Sequence, residues 1–91
     1  MISKIRINSR VTYEVVYSTD LGPGILGECR FSDKQIVVRL DQSKDELMKT
    51  LIHEVMHAVA ETNKIDLKHR DIYKLEKAFL NLIRLNKWLD I

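Results

Sequence analysis

The feature that most constrains this chain is a single change of hydrophobic period near residue 43. Up to Leu40 apolar residues alternate with polar ones and β-formers dominate; from Ser43 onward they recur at spacings of three and four. Lys4–Ile7 and Val11–Tyr17 read as strands around an Asn8-Ser9-Arg10 turn, and Leu26–Phe31 and Ile36–Leu40 as two more around Ser32–Gln35. Gly22-Pro23-Gly24 can only be a loop. Four short strands joined by turns predict a small antiparallel sheet, a meander with one face that needs a helical cover. Ser43-Lys44-Asp45-Glu46 fits a capping box, in which the Ser hydroxyl takes an orphan N–H and Glu46 reaches back to the cap. The spacing then predicts a helix over about Lys44–Thr62, a break at Asn63–Asp66 with Asp66 as the next N-cap, and a second helix over about Leu67–Lys87. Ile72, Leu75, Phe79, Leu82 and Ile83 form the expected stripe of that second helix. The expected fold class is α+β: a small antiparallel sheet followed by two packed helices.

Ninety-one residues suffice for one domain, residues 1–91, and not for two. Hydrophobic residues at 45% and charged residues at 31% exclude disorder and low complexity. A net charge of +2 selects no partner, and the two halves are equally balanced. Cys29 is the only cysteine, so an internal disulfide and a cysteine-based zinc knuckle are both excluded. The opening Met1-Ile2-Ser3-Lys4-Ile5-Arg6 places charges where a signal peptide would be apolar, and no apolar run approaches membrane-spanning length. The expectation is a cytoplasmic protein with no membrane contact.

The chemistry sits in the first helix. His53-Glu54-Val55-Met56-His57 is H-E-x-x-H. Positions i and i+4 of a helix stack on one face, so both imidazoles can approach one metal ion. Glu54 lies about 100° round the helix from His53, beside such an ion and able to take a proton from water there. Leu51, Ile52, Val55 and Met56 surround the motif with apolar residues, where two histidines and a carboxylate are costly unless something satisfies them. The plain alternative is a helix whose two histidines merely fall four apart; the intervening Glu and the apolar setting favour metal.

The segment Thr50–Ala58 resembles the active-site helix of zincin metallopeptidases, and is most similar to SprT-like proteins and to the compact ImmA/IrrE-like peptidases of phages and mobile elements. Leu26–Phe31 followed by Ile36-Val37-Val38 is similar to the hairpin that precedes the zinc helix there, so the likeness covers about residues 26–83. The resemblance implies a zinc-dependent peptide hydrolase with a peptide or protein substrate, His53 and His57 as the first two ligands and Glu54 as the general base.

Catalytic zinc needs a third protein ligand, and the second helix offers three. With Ile72 as zero, His69 falls at about +60° and Glu76 at about +40°, inside the apolar stripe, and Asp71 at about −100°, at its edge. Ligand chemistry favours His69, as does its likeness to the third histidine of SprT-like proteins, followed here by Ile72 and Tyr73. Glu76 is the rival: eighteen residues between H-E-x-x-H and Glu is a gluzincin-like spacing, and a hydrogen bond from Glu76 to a histidine is its other explanation. Asp71 reads better as a first-turn acid.

The remaining features are blander. Cys29 reads as a small packed residue rather than a latency ligand. Arg70, Lys74, Lys77 and Arg84 read as a solvated face; a nucleic-acid contact is the alternative that the SprT-like resemblance brings. Tyr73 reads as a packed or surface residue, with oxyanion binding as the sharper possibility. Against the peptidase stand a non-catalytic metal-binding domain and an interaction or regulatory module derived from a zincin. Glu54 favours the enzyme, because ligation alone gives no reason for a base there.

Overall fold

The computed structural model describes residues 1–87. Its elements are β1 (Lys4–Arg6), β2 (Thr12–Ser18), β3 (Gly27–Arg30), β4 (Gln35–Arg39), α1 (Lys44–Asn63) and α2 (His69–Leu85), the α+β order that the period change predicts. No helix among the described residues is long and apolar enough to cross a membrane.

The turns form for local reasons. Asn8 Oδ1 accepts from the backbone N–H of Arg10 at 2.8 Å and of Val11 at 2.9 Å, closing the β1–β2 hairpin with an Asx turn. Lys34, at φ 52°, closes β3 onto β4. The sheet nevertheless departs from the expected meander. Its order is β1-β2-β4-β3, and β2 pairs with β4 in parallel, Val16 opposite Val37. The physical reason lies in β4, where Ile36, Val37 and Val38 are all buried. Successive strand residues point to opposite faces, so a run buried at every position belongs inside a sheet. β3, Gly-Glu-Cys-Arg, has polar alternation suited to an edge. The Gly-Pro-Gly loop carries the chain past the β4 position, and the β3–β4 hairpin then docks with β4 inward.

α1 covers the sheet, with Leu51 and Ala58 packed on Tyr13, Val15, Ile36 and Val38. Ser43 Oγ accepts the Glu46 N–H at 3.2 Å, the serine half of the capping box. Lys64 closes the helix at φ 55°, and Ile65 N–H returns to Ala60 O at 2.8 Å, the geometry of a left-handed C-cap. α2 begins two residues later than expected: Lys68, not Asp66, is its N-cap, with no side-chain cap bond. Leu67, part-buried, precedes the helix in a tight turn, its N–H bonded to Ile65 O at 3.1 Å.

α2 also sits rotated from the expected stripe. Ile72, Glu76 and Leu80 are buried, while Leu75, Phe79 and Leu82 are 39%, 45% and 42% exposed. Arg84 pairs with Asp45 and ties the end of α2 to the start of α1.

Candidate metal centre

α1 runs under α2 so that its H-E-x-x-H turn faces the first turns of the second helix. The loop after Lys64 folds back, and His69 comes over His53 and His57. One ring nitrogen from each of the three lies within 4.8 Å of the others, a separation at which one ion can be shared. The ring centroids are 5.0 Å apart for His53–His57, 5.1 Å for His57–His69 and 6.0 Å for His53–His69. Of the candidate third ligands, His69 joins this cluster; Asp71 stands in the first turn of α2 and is not part of it.

Glu76 takes its other role. It is 3% exposed, and His53 Nδ1 donates to its Oε2 at 2.7 Å. That bond fixes the His53 tautomer: with the proton on Nδ1, Nε2 keeps its lone pair and points at the cluster, 3.3 Å from His57 Nε2. Lys49, one turn before His53, brings its Nζ to 4.0 Å from Glu76 Oε1 and offsets part of the cost of burying that carboxylate.

Glu54 is 7% exposed, and burial raises its proton affinity above that of an ordinary carboxyl; Glu28 and Glu76 add to this and His53 opposes it. His57 is shifted the other way, held below the usual imidazole range by burial first and by His53 and His69 second. The histidine is therefore kept in the neutral form that a metal needs, and the carboxylate is made a stronger base.

One positioning residue escapes sequence reasoning. A Cβ at Gly27 would lie 2.7 Å from Thr50 Cγ2 and 3.2 Å from Glu54 Cγ. Only glycine lets β3 approach α1 closely enough to hold Glu54 beside the histidines. Its signal was a glycine inside a strand pattern, which marks close backbone approach. Behind it Gln42 bonds both Arg39 O, at 2.8 Å, and the Thr50 hydroxyl, at 3.0 Å, fixing the helix entry against the strand.

A cleft of about 410 Å³ opens along this edge, between the Gly24–Gly27 chain, the face of α1 from Glu46 to Glu54, and Tyr73 and Glu76 of α2. Tyr73 is half exposed at its rim, its ring 5.2 Å from that of His53. Cys29 lies outside the cluster; burial, then the Glu54 charge, pushes its thiol up to about 12, so it is a packed and unreactive residue. Arg70, Lys74 and Lys77 are exposed, as a solvated face requires. Comparison with family models, with curated proteins and with solved structures returns no match to this chain.

Proposed function

We propose that the protein is a zinc-dependent metallopeptidase, a minimal zincin of the SprT-like or ImmA/IrrE-like kind. The observation that carries this reading is the meeting of His69 with His53 and His57 beside a buried glutamate. The donor set fits zinc: three imidazoles, one oriented by a carboxylate, are the protein ligands that would hold it and would leave it able to take an exchangeable water. Zinc held there supplies Lewis-acid polarisation of water and of the scissile carbonyl. The chain's own groups do the rest. Glu54 accepts a proton from the attacking water and passes it to the departing amine, a task suited to a carboxylate of raised proton affinity. Glu76 holds His53 in one tautomer, and Gly27 holds Glu54 in place. The cleft has the volume of an ordinary ligand site and is open enough for a segment of polypeptide. The reading sets the protein in the cytoplasm, where a lone cysteine stays a thiol.

The test is native mass spectrometry for metal, paired with hydrolysis of an unstructured protein. Wild type should carry one zinc and cleave; Glu54→Gln, nearly isosteric, should keep the zinc and lose roughly 10²–10⁴ in rate. A wild-type protein that takes up no zinc would overturn the reading, as would a Glu54→Gln variant of unchanged rate.

A further inference from the structure

One wall of the cleft beside the histidines is tied down at both ends. Gly22-Pro23-Gly24-Ile25 is a type II turn: Pro23 sets the first corner, Gly24 takes the second at φ 76°, and Ile25 N–H closes it on Gly22 O at 3.1 Å. The Arg39 guanidinium then fastens the turn to β4. Its Nη2 donates to Leu21 O at 2.9 Å and to Gly22 O at 2.8 Å, and its Nε donates to Ile25 O at 2.8 Å. One residue on, Leu26 O accepts the Arg39 backbone N–H at 2.8 Å. The lip so held presents two large aliphatic side chains to the cleft, Ile25 at 40% exposure and Leu26 at 50%. Neither packs into the core between α1 and the sheet.

We propose that Ile25 and Leu26 are the side-chain subsite of this cleft, and that it selects an extended peptide by a large aliphatic residue seated on them. That the ligand is a peptide rests on the metallopeptidase reading; the preference for an aliphatic residue rests on the wall itself. Tyr73 at the rim apart, the cleft is otherwise walled by glycine and by polar or charged side chains, Glu46, Lys49 and Thr50 of α1 among them. An apolar side chain therefore has one aliphatic surface in the cleft against which to lose its water. A polar side chain of equal size gives up hydration there and gains no partner. The lip also stands next to the chemistry. Leu26 precedes Gly27, where a Cβ would lie 3.2 Å from Glu54 Cγ, so a residue seated on the lip is within about two residues of the bond to be cut. Because the turn is already fixed, seating the peptide orders little of the protein, and the contact is spent on selection.

Amide NMR titration of the full chain tests this, with Glu54→Gln used so that no peptide is consumed. The probes are two short peptides of Gly, Ser and Thr, identical except for a central Leu in one and a nearly isosteric Asn in the other. The Leu peptide should shift the amides of Ile25, Leu26 and Gly27 and bind roughly 10-fold more tightly than its twin, the low end of hydrophobic discrimination because the lip is open on one side. Leu26→Asn, at a half-exposed position, should keep the circular dichroism and remove the preference. If it does not fold, Ile25→Asn makes the same test. Equal affinity for the two peptides overturns the proposal, as does a preference that survives both substitutions. Shifts confined to residues away from the lip, or no binding of either peptide, overturn it too. The peptidase reading fails separately, on metal content and on cleavage by wild type. A chain that takes the Leu peptide selectively yet carries no zinc keeps the subsite and loses the enzyme. One that carries zinc, cleaves and ignores the central residue keeps the enzyme and loses the subsite.

Discussion

The two flanks of α2 were built under different rules. On the cleft side a polar residue, Glu76, is almost wholly buried; on the other side Leu75, Phe79 and Leu82 stay about two-fifths exposed. Apolar burial alone would turn the helix the other way, since each half-covered Leu or Phe gives up on the order of 1 kcal/mol. That turn would carry His69 and Glu76 away from α1 and break the His53–Glu76 bond. The orientation of α2 is the one that keeps the His53–Glu76 bond and leaves the Leu75, Phe79 and Leu82 row partly exposed. The site therefore sits on the buried flank, while the opposite flank keeps its apolar side chains partly exposed.

If the cleft flank is organised around a metal, removing the metal should give the largest effect on stability. Binding only the native state adds about 4 kcal/mol at a thousandfold excess over Kd, so chelator should lower Tm by many degrees. The shift should vanish in His53→Ala, and His69→Ala should lose most zinc affinity by isothermal titration, because two histidines alone make a weak open site. Superimposable wild-type melts with and without chelator would leave the cleft flank without an organising ligand.

The packing half of the comparison is tested by paired truncations. Ile72 is fully buried, and Ile72→Ala should cost about 2–5 kcal/mol in denaturant unfolding. Leu75, one turn on, is 39% exposed, and Leu75→Ala should cost well under half as much. Equal costs would mean that the two flanks are packed alike.

Much of this was legible in the residues, and what was not has physical causes. The period change gave the element order, and imidazole chemistry with helical angle brought His69 forward over Asp71. The parallel β2–β4 pairing was missed, although Ile36-Val37-Val38 carried its signal: a run without alternation asks for cover on both faces. The rotation of α2 could not be read from its own stripe, because it depends on a bond between Glu76 and a histidine 23 positions earlier. Gly27 carried only the general signal of a glycine inside a strand, since the α1 residues whose approach it accommodates, Thr50 and Glu54, lie more than twenty residues further on.

Glu76 offers a sharper and smaller test of the cleft flank. Glu76→Gln keeps the shape and loses the charge, so His53 keeps a partner but a weaker one. Zinc affinity should fall roughly 10–100-fold, the range of carboxylates that orient a ligand, and should not be abolished. Complete loss of zinc in Glu76→Gln, with His69→Ala tolerated, would make Glu76 the ligand and break the assignment of roles along α2.

The smallest effect is on the pH dependence of the metal-free protein, where Glu54 and His57 pull in opposite directions. Folding raises the proton affinity of Glu54, so the native state holds a proton that the unfolded chain has released above about pH 4.3. The contribution of Glu54 to stability is therefore full below that pH and is lost as pH rises through its native value. Folding lowers the proton affinity of His57, so its contribution is full above about pH 6.5 and is lost as pH falls through its native value. Metal-free protein should thus carry a buried-carboxylate penalty at neutral pH and a buried-imidazole penalty in acid. Glu54→Gln removes the first alone. It should stabilise metal-free protein at pH 7, leave it unchanged near pH 4, and shift the stability maximum upward, as followed by urea unfolding in the presence of chelator. Equal stabilisation at both pH values would show that the gain comes from packing of the amide, and that the Glu54 charge is not what the metal-free cleft strains to hold.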